Sequence, residues 1–228
     1  MRRPATRAQS APMRNASQVK AQSRFPVWLL AVLLVLGTLA LYWPATRCGF
    51  VNLDDSVNVS ENVHVQKGLT WESIKWALLN PVNGGWLPLT VWSHMLVYQV
   101  CGLNPWGHHL VNVLLHALNA ALVFALLQRM TGARWRSLLV AALFAVHPLS
   151  VEAVAWVTER REVLCAFFGL LALIAYVRYA QGRREEAESR KQKAESGSQN
   201  PAAPNTQHAT RNTFHVSRFT LHASTSSR

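Results

Sequence analysis

The sequence predicts an all-α membrane protein with about four transmembrane helices, a long first outer loop carrying amphipathic or juxtamembrane helices, and a disordered C-terminal tail. Two observations support this fold class. The apolar residues of the 228-residue chain collect in four runs instead of spreading as they do in a soluble domain. The basic residues, which give a formal net charge of +12, lie mostly between and outside those runs. Both patterns are typical of a multi-pass membrane protein.

The four apolar runs set the predicted helices. The runs at residues 26–43 and 106–128 are long enough to cross about 30 Å of hydrocarbon, because a helix rises about 1.5 Å per residue. A third helix is predicted at 137–157, where it has to continue past a proline in order to span. A fourth is predicted at 163–180. Together these four segments make up a transmembrane region within residues 25–180.

The outer loop, residues 44–105, is predicted to contain two helices of its own. Residues 70–78 form a short amphipathic pattern, with Thr70 as a candidate N-cap. The stretch 87–101 is apolar but too short to span, and His94 interrupts it. We expect this second helix to lie on the membrane surface or to dip into it, because another crossing would invert the charge pattern downstream.

The positions of the charges predict the orientation. All but five of the 23 basic residues lie in the leading segment, between the second and third runs, or after the fourth. By the positive-inside rule both termini are then cytoplasmic, with the bacterial inner membrane as the first expectation and the endoplasmic reticulum as the alternative. The basic excess therefore indicates topology and contact with a lipid bilayer, not nucleic-acid binding. The five exceptions are Arg47, Lys67, Lys75, Arg160 and Arg161.

Both ends of the chain are predicted to lie outside the membrane. Residues 1–24 read as a basic cytoplasmic lead, and the first run as a retained signal anchor, since its apolar core is longer than that of a signal peptide. Residues 181–228 begin with a charged run at 185–193 that can continue the fourth helix. The tail then becomes rich in Ser, Asn, Thr and Ala, which predicts disorder.

A polar stripe runs along the second predicted crossing. Its four members fall within 80° of one another at 100° per residue, so they share one face of a helix. Three interpretations stay open: interhelical hydrogen bonds, the lining of a cavity, or a metal site. One helix supplies no complete ligand set, so we predict neither a metal nor a cofactor and leave divalent-metal dependence open. The stripe consists of His108, Asn112, His116 and Asn119.

Two charged pairs lie in the segments predicted to be outside. Asp54-Asp55 follow the first helix by about a dozen residues, and they are either a solvated turn or a general base at the mouth of a helical bundle. Arg160-Arg161 are either part of a surface Glu–Arg network or a site for a lipid-borne phosphate.

The second pair lies in the stretch His147–Leu164. Pro148 suits a first helical turn or a kink in this stretch. Continued helix would place Glu152, Trp156, Glu159 and Arg160 on one face. Combined with the acidic pair, this arrangement suggests glycosyl transfer from a lipid-phosphate sugar.

Four blocks in order carry a family resemblance: "FVNLDDSVN", "WLPLTVWSHML", "GLNPWGHHLVNVLLHALNAALVFALL" and "HPLSVEAVAWVTERREVL". Over residues 25–179 the chain resembles the start of the membrane-embedded, tetratricopeptide-containing O-mannosyltransferase-like proteins of the GT-C glycosyltransferase class. The resemblance implies a polyprenyl-phosphate sugar donor and a protein or lipid-linked acceptor, such as a protein Ser/Thr hydroxyl, on the non-cytoplasmic face. It implies Asp54, followed by Asp55, as catalytic. It carries a phosphate-binding role over to Arg160 and Arg161. The other candidate substrate-binding residues, chosen from the polar stripe and from the stretch His147–Leu164, are His147, Glu152, His108, Asn112 and His116.

The sequence also departs from the family pattern. Leu87 and Val97 stand where relatives often carry polar or charged residues. Tetratricopeptide repeats are absent from the sequence, and the chain ends where such enzymes would continue, so we expect a truncated chain that is inactive alone. A non-catalytic membrane scaffold or pseudoenzyme is therefore an alternative function. A small transporter subunit that uses the polar stripe as a path is a weaker alternative.

Overall fold

The computed structural model describes residues 26–198, and within that range the chain forms eight α-helices and no strand. Short helical turns cover Trp43–Arg47 and Ser56–Ser60. The predicted basic lead, and the low-complexity residues from 199 onward, lie outside the described residues. The helices are α1 Val27–Tyr42, α2 Val63–Gln66, α3 Trp71–Leu79, α4 Pro88–Cys101, α5 Pro105–Thr131, α6 Arg134–Val146, α7 Leu149–Ala155 and α8 Arg160–Ser198.

Three helices of the described region are long and apolar enough to cross a membrane, and a fourth crossing is available if a bent pair counts as one span. The three begin at Val27, Pro105 and Arg160. The bent pair consists of α6 and α7, whose axes differ by 61°. The prediction of an all-α protein with about four crossings is therefore confirmed, and the chain is a multi-pass membrane protein.

The third crossing is broken, whereas the sequence predicted one helix over 137–157. α6 ends at Val146, His147 is extended, and α7 starts after Pro148. Proline has no N–H for the helical ladder, and it disfavours helical geometry in the residue before it. The second break follows at Trp156, which is also extended. Glu152, Trp156 and Arg160 consequently do not share one helical face, and that expectation was wrong.

The packing along α5 defines two ends of the bundle. Near its C-terminal end, Phe124 packs with Leu30 of α1 and Ala141 of α6. Near its N-terminal end, Val113 packs with Tyr42 and Val154. α1 and α6 therefore run antiparallel to α5. We call the end that contains the α5–α6 turn the basic end, and the end that contains residues 43–105 and 147–160 the loop end.

α8 runs in the same direction as α5. Asn119 of α5 donates a hydrogen bond to the carbonyl of Val163. About five turns further along α8, Gln181 donates to the carbonyl of Arg129 at the basic end. α8 continues to Ser198, so the charged run does extend the helix, and residues 196–198 are helical where the sequence predicted disorder. Residues 183–196 are exposed.

The long first loop folds into a helical layer with its own apolar core. Residues from α2, α3 and α4 form this core, and Val157, from the segment between α7 and α8, packs into it. α3 starts where the sequence predicted, because the Thr70 hydroxyl accepts a hydrogen bond from the amide of Ser73. α4 is a helix, as predicted, and it packs against α5 as well as against the loop. The core residues are Val59, Val65, Ala77, Val82, Val91, Met95 and Val157.

Candidate functional site

Asp55 is completely buried, and donors on two separate segments occupy its carboxylate. Oδ2 accepts a hydrogen bond from the amide of Val51 at 2.9 Å. Oδ1 accepts one from the amide of Thr158 at 3.0 Å and another from the Thr158 hydroxyl. Asp55 and Thr158 are 103 positions apart in the chain. The first loop is thus joined directly to the connection between α7 and α8, which immediately precedes the arginine pair at the start of α8.

Asp54 has a different environment, although it is the next residue. It is half-buried, and its carboxylate makes no hydrogen bond or ion pair with any of the residues the structure describes. Its backbone carbonyl accepts a hydrogen bond from the side-chain amide of Asn58, which holds this turn together. Of the acidic pair, therefore, only Asp54 presents a carboxylate that is free to accept a proton from another molecule.

Arg160 is the largest fully buried side chain of the described region. Nε donates to Oδ1 of Asn112 at 2.7 Å, and Nη2 donates to the carbonyl of His108 at 2.6 Å. Nη1 lies 3.3 Å from the hydroxyl of Ser93 on α4. The guanidinium therefore fastens the start of α8 to α4 and α5.

All three acceptors of Arg160 are neutral, and no carboxylate of the described residues pairs with it. A buried charge is costly without compensation, so hydrogen bonds of good geometry are needed to keep it in place. Asp55, the other completely buried charged residue of the described range, is bound by Thr158, two residues before Arg160. Buried in this way, Arg160 is not placed to meet a phosphate from solvent.

Arg161 points the other way and is partly open to solvent. Nη2 lies 2.7 Å from a carboxylate oxygen of Glu159, and Nε lies 3.7 Å from one of Glu162. Its side chain is 38% exposed. It lines a cavity of about 250 Å³ together with Trp86 of the loop before α4, Thr90 of α4 and Cys165 of α8. Of the two arginines, Arg161 is the one that an anion can approach.

The polar stripe of α5 is buried and makes hydrogen bonds to neighbouring segments. Besides holding Arg160, Asn112 donates to the carbonyl of Trp156 at 3.0 Å. Nε2 of His116 lies 3.1 Å from the carbonyl of Ala145 on α6. Asn119 holds α8 through Val163, as described above. These contacts are the interhelical and helix–loop hydrogen bonds of the first interpretation that the sequence left open.

Two buried histidines of this end were not singled out by the sequence pattern. Nδ1 of His94 lies 3.3 Å from Nδ1 of His108, and Nε2 of His94 has no partner among the described residues. Burial holds the pKa of His94 well below its usual 6.5, and the charge of Arg160 acts in the same direction. His109 is also buried, with Nε2 3.4 Å from the carbonyl of Gly49 in the first loop. A sequence signal existed for His109, because it directly follows His108, the first residue of the stripe.

The remaining predicted site residues lie on the surface of the loop end. His147 is exposed, and its Nδ1 accepts a hydrogen bond from the amide of Leu149 at the start of α7. Glu152 is exposed and has no ion-pair partner among the described residues. No group of three or more His, Cys, Asp or Glu side chains in the described range is arranged to hold a metal ion.

Comparison with known proteins gives one consistent group of relatives. The chain is 35% identical over 153 residues to Protein O-mannosyl-transferase Tmtc2 of Drosophila melanogaster, a match that covers 63% of this chain and 16% of the relative. It is 33% identical over 152 residues to Protein O-mannosyl-transferase TMTC2 of Homo sapiens, covering 64% of this chain and 18% of that protein. With Protein O-mannosyl-transferase TMTC4 of Mus musculus it shares 33% identity over 177 residues, covering 63% and 24%.

These matches span less than a quarter of the length of each of the three relatives. No family model matches the chain, and no solved structure matches it either. The sequence similarity nevertheless agrees with the resemblance carried by the four sequence blocks. Over about two thirds of its length, this chain is homologous to part of the protein O-mannosyl-transferases of the TMTC group.

Proposed function

We propose that this chain supplies the loop-end part of a glycosyltransferase site that transfers mannose from a polyprenyl-phosphate donor to a protein Ser/Thr hydroxyl on the non-cytoplasmic face of the membrane. The relatives are named as protein O-mannosyl-transferases, which motivates the reaction type. The lipid-phosphate donor follows from the class that the sequence resembles. The single structural observation in favour is the contact between Asp55 and Thr158, since it joins the acidic pair to the segment that carries the arginines.

Asp54 is the proposed general base. Its carboxylate accepts the proton of the acceptor hydroxyl while the hydroxyl oxygen bonds to the anomeric carbon of the sugar. The bond between that carbon and the donor's phosphate oxygen breaks, and the phosphate leaves with the electron pair. Asp55 is not available for this step, because three donors already occupy its oxygens.

Arg161 is the proposed group that meets the departing phosphate. It is partly exposed, and a guanidinium binds phosphate oxygens with two parallel hydrogen bonds. The phosphate has to compete with Glu159, which now holds Nη2. Arg160 holds the start of α8 in place through its hydrogen bonds to α4 and α5.

The test is sugar transfer in liposomes that contain a radiolabelled mannosyl-phosphoryl polyprenol and an acceptor protein, by a chimera in which this chain replaces the matching segment of the human relative TMTC2. We expect no transfer by this chain alone, transfer by the chimera, and a loss of at least a hundredfold in the chimera that carries Asp54→Asn, the usual scale for removing a general base. Ser56→Ala, which changes a neighbouring hydroxyl bonded only to the carbonyl of Leu53, is the matched control and should keep its activity.

Each other result has a definite meaning. Undiminished transfer by Asp54→Asn would remove Asp54 from the mechanism. Absence of transfer by the chimera without the Asp54 substitution would overturn the proposed activity and favour the non-catalytic membrane scaffold. The transporter alternative is disfavoured by the polar stripe, whose side chains are engaged in hydrogen bonds between helices.

A further inference from the structure

We propose that Thr158 and Asp55 form a clamp that positions Asp54, so that Thr158 is a positioning residue for the proposed site. This inference rests on the proposed function and assigns a role to a residue that the sequence pattern did not identify. Three donors converge on one buried carboxylate, and two of them belong to Thr158. Hydrogen bonds to a charged acceptor are stronger than those between neutral groups.

The clamp acts next to an exposed part of the loop, whose other hydrogen bonds are all local to the turn. Residues 51–53 are exposed, and Asp55 is the first completely buried residue after them. The bond from the Val51 amide closes the turn that precedes Asp54, and the bonds from Thr158 fix that turn to the connection before α8. Asp54 lies within this turn, between Val51 and the clamped Asp55, so its half-buried position depends on both sets of hydrogen bonds.

The connection between α7 and α8, which carries Thr158, is held in place by contacts other than the clamp. Asn112 donates to the carbonyl of Trp156, and Arg160 is held by α4 and α5. Val157, between them, is buried in the core of the loop layer. The segment at 156–160 is therefore a rigid anchor. Freed from Thr158, the turn carrying Asp54 would move while the anchor stays in place.

A thiol-labelling experiment separates positioning from general stability. Cys48, Cys101 and Cys165 are first replaced, and a single cysteine is placed at Asp54. We expect Thr158→Val to raise the labelling rate of this cysteine roughly tenfold, the factor that corresponds to losing one charge-assisted hydrogen bond. Thr158→Ser, which keeps the hydroxyl, should restore the original rate.

A second single cysteine at Val63, in the same background, is the matched control. Val63 is exposed, and α2 has its own cap from Asn62, so Thr158→Val should leave labelling there unchanged. An unchanged rate at position 54, failure of Thr158→Ser to restore the rate, or an equal rise at 54 and 63 would each overturn the clamp.

The proposed function and the clamp can fail separately, because labelling requires no sugar transfer. If Thr158→Val changes labelling as expected while Asp54→Asn keeps full transfer, the clamp stands and the assignment of Asp54 as base is wrong. If labelling is unaffected while Asp54→Asn abolishes transfer, the catalytic assignment stands and the clamp is wrong.

Discussion

The neighbouring arginines Arg160 and Arg161 should respond very differently to the same substitution. Arg160→Lys keeps the charge but replaces a planar fork of donors by a single ammonium group. The fork reaches three acceptors on two helices, and two of the three bonds are short, at 2.6 and 2.7 Å. A lysine ammonium cannot occupy the positions of all three guanidinium nitrogens.

The cost follows from the acceptors that are left behind. At least one buried acceptor, either Oδ1 of Asn112 or the carbonyl of His108, loses its donor. An unsatisfied buried group costs about 1–3 kcal/mol, and the lost charge-assisted bond is of similar size. We therefore expect the free energy of unfolding to fall by about 3 kcal/mol. At about 2–4 °C per kcal/mol for a chain of this size, the Tm falls by about 6–12 °C.

The assay is the apparent Tm of the detergent-solubilised chain, followed by fluorescence-detected size-exclusion chromatography after heating. Arg161→Lys is the control, since its ion pairs with Glu159 and Glu162 are partly exposed and such pairs contribute about 0–1 kcal/mol. Its Tm should fall by at most about 4 °C. Equal shifts for the two variants would refute the structural role given to Arg160.

Three further predictions concern packing, pH and membrane contact. Gly107→Ala places a Cβ 2.7 Å from the side chain of a cysteine on α4, so it should lower stability by about 1–3 kcal/mol in the same Tm assay, whereas Gly169→Ala meets open space and should be neutral. His94 is protonated more readily in the unfolded chain than in the folded one, so stability is complete above pH 6.5 and falls below it. Between pH 7.5 and 5.5, the contribution of His94 lowers the free energy of unfolding by at most about 1.4 kcal/mol. In His94→Asn the fall in Tm between these two pH values should be smaller by the equivalent of that free energy. An unchanged fall in Tm would contradict the burial argument. A fluorophore on a cysteine at Leu79, on the exposed apolar face of α3, should be quenched by brominated lipids, and one at exposed Glu61 should not; equal quenching would contradict membrane contact by α3.

The helices were predictable because hydrophobic length and charge distribution report directly on the bilayer. The breaks in the third crossing were harder to predict. Pro148 signalled a kink or a helix start, but the extended Trp156 depends on tertiary contacts, since its carbonyl accepts a hydrogen bond from Asn112 on another helix. Local propensity carries no information about such a distant partner.

The candidate site was predictable in composition but not in arrangement. Residue types identified an acidic pair and a basic pair, yet each pair divides into one buried and one accessible member. Which member of a pair is buried depends on which of the two side chains faces the helical bundle, and that is a property of three-dimensional packing. Asp55 and Arg160 were expected to contact substrate, and the structure instead gives them partners within the chain. Thr158 had no sequence signal at all, because a lone threonine is an ordinary residue of an outer segment.

The proposed site requires both charged pairs to lie on one face of the membrane, opposite the basic end. Single cysteines at Val57, Glu152 and Arg136, in a chain whose own cysteines are replaced, would be treated with a membrane-impermeant thiol reagent. Vesicles of both orientations would be compared. We predict that positions 57 and 152 are labelled from the same side, and position 136 only from the other. Labelling of 57 and 152 from opposite sides would contradict the account.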